Sequence, residues 1–192
     1  MKLDYNDEKH EYTLGNTIIP NVTTIMKPLY ENSYSSVSKE DMENGRIRGK
    51  AVHNAIDMYL AFHTKDIEKE YEGYLNAFID WFKKNNPKGI CNELPMYHKI
   101  YMYAGTPDFI CEIKSKRYLV DFKTYQSFCE KTERVQLEAY KNMVEQEYNI
   151  DGKMILILNG NGTYKTKEYP AKDGEAKTVF DSLLKVHRYI EK

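Results

Sequence analysis

Between Gly105 and Lys123 the chain reads GTPDFICEIKSKRYLVDFK, in which Asp108 heads one apolar run and Asp121-Phe122-Lys123 closes the next. Two carboxylates and a lysine brought together across a hairpin can hold a divalent cation against a phosphate. Hard cations take oxygen ligands, and an ammonium group stabilises added negative charge. Phe109 to Ile113 and Tyr118 to Thr124 carry the aromatic and aliphatic residues of strands and flank the polar Lys114-Ser115-Lys116-Arg117. A turn centred on Ser115-Lys116 sets Asp108 opposite Lys123 and diagonal to Asp121. Side chains alternate along a strand, so these three share one face while Tyr118, Val120 and Phe122 fill the other. Opposed and diagonal positions lie roughly 5–8 Å apart at Cβ, within reach of one cation.

Asp-x-Lys also occurs as Asp7-Glu8-Lys9 and Asp151-Gly152-Lys153, and Glu112-Ile113-Lys114 is of the related Glu-x-Lys type. The first two lie in polar turn segments, and Glu112 shares a strand with Asp108 rather than answering it from a neighbour. Only Asp121 and Lys123 are set in an apolar run, where unpaired charge is costly and needs a reason.

Pro107-Asp108 followed by Asp121-Phe122-Lys123 resembles the PD-(D/E)XK nuclease superfamily. Three further stretches are similar to its RecB-like exonuclease branch. RGKAVH, ending at His53, resembles the helix that carries a metal-binding histidine. VQLEAY, with Gln136 and Tyr140, resembles the Q-x-x-x-Y helix that follows the catalytic strand. IPNVTTIM, residues 19–26, resembles the N-terminal segment of phage and bacterial members and of mitochondrial genome-maintenance exonucleases. The matches keep the family's order.

The resemblance implies a restriction-endonuclease-like α/β fold, a central mixed β-sheet flanked by helices. It implies His53, Asp108 and Asp121 as ligands of Mg²⁺ or Mn²⁺, joined by the main-chain carbonyl of Phe122. Lys123 would orient the attacking water or stabilise the phosphorane, and Glu93, in NELPMY, resembles a further acidic catalytic position. Gln136 and Tyr140 would face DNA beside the site. The implied reaction is hydrolysis of DNA phosphodiesters by an exonuclease acting on linear ends, single-stranded ones included, in recombination or repair of the phage or bacterial kind. Two other readings stand beside it: a structure-specific or restriction-type endonuclease, and a catalytically silent DNA-binding or interaction module of the same fold. The intact set of His53, Asp108, Asp121 and Lys123 argues against silence.

At 192 residues, 41% hydrophobic and 30% charged, the chain suits a single domain over 1–192, with an N-terminal hairpin and lid candidate in 1–45 and the core in 46–192. No apolar run approaches a membrane span, and MKLDYNDEKHEY lacks a signal peptide's apolar region, so no membrane partner and a cytoplasmic location, in a bacterium or a phage-infected host, are expected. The 3 cysteines, Cys91, Cys111 and Cys129, form no C-x-x-C pair and are too few for the iron-sulfur cluster of some relatives.

The net charge of −1 is low for a protein that grips phosphates. Local clusters offset it: Arg46, Arg48 and Lys50 before His53, Lys114, Lys116 and Arg117 at the hairpin tip, and Lys131 and Arg134 before Gln136. Arg46 and Arg48 are the stronger DNA-binding candidates, being next to the metal site in sequence. So short a basic footprint suggests help from a homo-oligomer or a recombination partner. Among the 17 tyrosines, Tyr101, Tyr103 and Tyr125 are candidates for base stacking.

Positioning these groups requires a hairpin near 6–9 or at Gly15-Asn16, then a polar loop over 31–44. Helices are predicted over 48–62 and 66–85, strands over 92–103, 108–114 and 117–124, and a helix over 132–147. A strand over 153–158, an Asn-Gly turn, a strand over 163–169 and a helix over 175–191 complete the chain.

Overall fold

The computed structural model describes residues 2–7, 9–124 and 129–191. Strands β1 (Leu3–Asn6), β2 (Glu11–Leu14) and β3 (Thr17–Ile19) form a small antiparallel sheet, so both hairpin positions read from the sequence are used. Two short helices follow, α1 (Val22–Ile25), capped by Asn21, and α2 (Lys27–Ser33).

The polar stretch 31–44 is largely helical rather than a loop. Helix α3 (Lys39–Phe62) begins well before the predicted residue 48. The Ser38 hydroxyl accepts from the Asp41 amide at 3.0 Å, Glu40 and Asp41 complement the helix dipole, and Arg46 reaches back one turn to Glu43. These turns face solvent, so no apolar period marked them. A left-handed His63 ends α3 at the predicted residue, and the next helix, α4 (Glu72–Asn85), starts later than predicted.

The strand predicted over 92–103 is instead three short ones, β4 (Lys88–Asn92), β5 (Met96–Tyr97) and β6 (Ala104–Gly105). Left-handed backbone at Glu93 and Met102 interrupts it. The remainder follows the sequence closely: β7 (Phe109–Ile113), β8 (Lys116–Lys123), α5 (Glu130–Val144), β9 (Gly152–Leu158), β10 (Tyr164–Pro170) and α6 (Gly174–Ile190).

The main sheet has the order β10-β9-β8-β7-β4, with β8 and β9 parallel and the other pairs antiparallel. Helix α5 is the crossover between the parallel strands. On one face, Val52, Ile56, Phe78 and Trp81 of α3 and α4 pack on Phe109, Val120, Phe122 and Leu156. On the other, Val22, Leu137, Met143 and Phe180 of α1, α5 and α6 cover Ile110, Leu119 and Ile155. This is the central mixed sheet flanked by helices that the sequence implies.

The β7–β8 register corrects the sequence reading. Phe109 pairs with Val120 and Ile113 with Lys116, so the turn is Lys114-Ser115, both at positive φ (49° and 62°), not Ser115-Lys116. A two-residue turn of this hand matches the right-handed twist of the strands. One step beyond the ladder, Asp108 therefore faces Asp121 rather than Lys123. The period of two is kept, so both carboxylates still lie opposite the face that Val120 and Phe122 fill.

Candidate active site

Asp121 and Lys123 end the central strand β8, where its side chains leave the core and meet the start of α5. Asp121 is buried, and its Oδ2 lies 2.8 Å from Lys123 Nζ. Asp108 enters from the head of β7 and is fixed by the Phe122 amide, which donates to its Oδ2 at 2.6 Å. Glu93, at the end of β4, holds a left-handed φ of 41°, and its amide donates to the Asp108 carbonyl at 2.9 Å. That conformation is unfavourable by about 1–2 kcal/mol for a residue with a Cβ. Here it turns the Glu93 carboxylate toward α3.

His53 projects from α3 into this corner. Its Nδ1 is 3.1 Å from Glu93 Oε1 and 3.7 Å from Asp108 Oδ1, and its Nε2 is 3.3 Å from the Phe122 carbonyl. Among the described residues, His53, Glu93 and Asp108 bring ligand atoms within 4.8 Å of one another. Asp121 stands beside this trio with its charge turned to Lys123.

The electrostatics are those of crowded acids. Burial, followed by the neighbouring charges of Asp108 and Glu133, pushes the Asp121 carboxyl up to about 7 against the pull of Lys123. Burial also raises Asp108, although His53, Lys123 and the Phe122 amide oppose it. Burial disfavours the His53 imidazolium, but the Asp108 charge and the Glu93 hydrogen bond and charge outweigh it, and its pKa is pushed up to about 9. Without a cation, the imidazolium can donate to Glu93 and to the Phe122 carbonyl together.

One imidazole nitrogen and carboxylate oxygens, gathered where burial makes uncompensated negative charge costly, fit a hard divalent cation. His53, Glu93 and Asp108 would hold it, with Asp121 and the Phe122 carbonyl adjoining. Glu93, read from the sequence only as a catalytic acid, thus lies among the candidate ligands.

Lys123 is also bound from α5: its Nζ is 2.7 Å from Gln136 Oε1 and 3.1 Å from Glu133 Oε2. Gln136 and Tyr140 do lie on the helix face turned to the site, and both are buried within the fold. Gln136 meets Lys123. Tyr140 packs so tightly on Gly105 that a Cβ there would sit 2.6 Å from its ring. Glu133 was missed in the sequence. The signal available was its spacing, three residues before Gln136 and seven before Tyr140, which puts all three on one helix face.

Outside this corner lies a cleft of about 1450 Å³ whose wall includes Lys123, Thr124, Arg46, Arg48, Tyr30, Tyr34 and Tyr74. Arg48 lies 5.6 Å from the centre of the Tyr74 ring, and Arg46 pairs with Glu43. The other basic clusters are placed differently. The hairpin tip is at the far end of β8, and Arg134 is engaged by Asp173 and Glu175. Tyr103 is a core residue bonded to the Ala139 carbonyl, Tyr101 lies tilted against the His98 ring, and Tyr125 lies outside the described residues. The two decoy aspartates are tied locally, Asp7 to Lys50 and Asp151 to the Arg117 amide.

No protein-family model and no curated protein matches the sequence. Among solved structures, SSO0001 superposes with a TM-score of 0.51 at 14% identity, covering 90% of this chain and 75% of that one. An alkaline exonuclease (LHK-Exo) from Laribacter hongkongensis gives 0.45 at 10% identity over 72% of this chain and 81% of that one. The same enzyme in complex with dAMP gives 0.49 at 8% over 86% and 84%. At such identities the likeness to SSO0001 concerns the fold alone.

Proposed function

We propose that the protein is a metal-dependent deoxyribonuclease of the PD-(D/E)XK kind, in the RecB-like branch, acting as an exonuclease on linear DNA ends with Mg²⁺ or Mn²⁺. The observation that carries this reading is the convergence of His53, Glu93 and Asp108 beside the Asp121-Lys123 pair, at the foot of a cleft edged by Arg46 and Arg48. A bound cation would lower the pKa of a coordinated water and offset charge on the phosphate. The protein's own part is positioning. The acids set where the charge centre sits, and Lys123 holds a proton-rich group at the cleft edge where the phosphorane charge develops. Arg46 and Arg48 grip the strand's phosphates, while Tyr30, Tyr34 and Tyr74 offer ring faces to bases.

Gln136 and Tyr140 serve DNA binding through Lys123 and through the packing of α5. The whole chain acts as one nuclease unit, with Lys9, Asn21, Lys27 and Val37 of its N-terminal part in the wall of the cleft. A role in recombination or repair of phage or bacterial type, in the cytoplasm and with a second copy or a partner, belongs to the same proposal. No helix among the described residues is long and apolar enough to cross a membrane.

Purified protein incubated with linear and covalently closed DNA, with and without Mn²⁺, tests the reading. Metal-dependent loss of the linear form alone, abolished by Asp121→Ala, is expected. Equal cutting of closed circles makes the protein an endonuclease, and no cutting of either form removes the enzymatic reading.

A further inference from the structure

Lys123 is surrounded by acceptors from two directions. Asp121 lies 2.8 Å away on its own strand, while Glu133 at 3.1 Å and Gln136 at 2.7 Å reach it from α5. The ammonium donates a hydrogen bond to Gln136, and the two carboxylates face it as ion pairs. Asp121 adjoins the candidate cation site, and a cation held there would compete for its charge. The α5 acceptors lie outside the trio that could hold one.

Glu133 is almost wholly buried, at 1% exposure, and lies outside the trio that could hold a metal. Burying a carboxylate is unfavourable by several kcal/mol unless it is paired and hydrogen-bonded. Both requirements are met here: one carboxylate oxygen faces Lys123, and the other accepts from the Tyr34 hydroxyl at 3.0 Å. Next to it the Ser33 and Thr132 hydroxyls bond at 2.7 Å, fastening the end of α2 to the first turn of α5. Tyr34 in turn lines the cleft.

We propose that Glu133, braced by Tyr34, is a positioning residue that fixes the Lys123 ammonium at the cleft edge, so that the N–H turned to Asp121 can pass to a phosphate oxygen when DNA enters. The inference rests on the nuclease reading and deepens it. It also gives the end of α2 a role, because residues of the N-terminal wall help to hold the catalytic lysine.

The experiment uses the full chain with Glu133→Gln, Glu133→Asp and Tyr34→Phe, each alone, and Glu133→Gln again in a Lys123→Ala background. The first readout needs neither metal nor DNA. In ¹⁵N spectra of the metal-free protein, the Lys123 ammonium signal, assigned by its loss in Lys123→Ala, should be protected from water exchange in the native protein. Exchange should be fast in Glu133→Gln and intermediate in Tyr34→Phe.

The second readout is cleavage of linear DNA. Glu133→Gln should lower kcat by about 10²-fold, the effect of misplacing a catalytic group by about 1 Å. KM and Mn²⁺ affinity should barely change. Glu133→Asp should recover part of the rate, and Glu133→Gln should add nothing to Lys123→Ala. An unchanged ammonium signal in both Glu133→Gln and Tyr34→Phe overturns the proposal, as does a full additive loss in the Lys123→Ala background. Weakened Mn²⁺ binding in Glu133→Gln would make Glu133 a ligand instead. If the native protein cuts no DNA, the nuclease reading fails while the exchange measurement still decides the positioning role.

Discussion

Lys123 and Lys153 stand on adjacent parallel strands and point to the same side of the sheet, toward α5, yet they live in opposite surroundings. Lys153 is 1% exposed and bonds Glu138, which also faces Lys141, itself paired with Glu145 at 2.9 Å. Among the described residues two cations answer two anions there, and only Glu145 reaches solvent. Lys123 opens on the cleft and meets Asp121 and Glu133, with Asp108 and Glu93 crowded behind them. Acids outnumber it. A balanced buried cluster needs nothing further, whereas an acid-rich one at the base of a cleft is arranged to take up positive charge. What separates structure from function here is the charge count and the opening, not the residue types.

The contrast can be broken by removing one acid from each cluster. Asp121→Asn should cut the rate of DNA cleavage by at least about 100-fold, the scale of losing one preorganised electrostatic contact. The thermal midpoint of the metal-free protein should stay level or rise, since a crowded charge has gone. A fall in midpoint would show that Asp121 supports the fold instead. Glu138→Gln should do the reverse. It strands Lys153 in the core and should destabilise the protein by about 3–5 kcal/mol in denaturant titration, while folded molecules keep their cleavage rate.

A smaller effect comes from the packing that carries α5. Gly105→Ala drives a methyl group into the Tyr140 ring and should cost about 1–3 kcal/mol, with activity lost only in proportion to unfolding. An activity loss beyond the unfolded fraction would place Tyr140 in the chemistry itself.

The pH dependence sharpens the comparison at its other edge. In the metal-free protein the pKa of His53 is raised from 6.5 to about 9. Its stabilising effect is therefore full below the ordinary value and lost as pH climbs through about 9. A cation needs the neutral ring, so Mn²⁺ affinity by calorimetry should rise by about tenfold per pH unit from 7 toward 9, with proton release. Affinity that stays flat over this range would remove His53 from the ligand set.

Much of this site was legible because strands obey a period of two. Asp108 and Asp121 share a face, opposite Val120 and Phe122, in both two-residue turns, because the expected and observed pairings differ by two positions; a slip of one would have separated the two carboxylates. His53 and Gln136 were offered as candidates only by resemblance, the one to the RGKAVH helix and the other to the Q-x-x-x-Y helix. Glu133 was not, because a glutamate in a helix's first turn ordinarily reads as a solvated complement to the dipole. Glu93 was uncertain for a different reason: its position depends on a backbone conformation that sequence disfavours, and the same interruption split the strand predicted over 92–103. The early turns of α3 were hidden by their exposure, since hydrophobic period marks only helices with a face to bury.

Diffraction from crystals soaked in Mn²⁺, with the anomalous signal used to locate the ion, tests the central claim most directly. An anomalous peak is expected in the space bounded by His53, Glu93 and Asp108, with Asp121 at its edge, and it should vanish in Asp108→Asn. A native crystal saturated with Mn²⁺ that shows no peak there, or binds it elsewhere, would contradict a metal-dependent nuclease built on these residues.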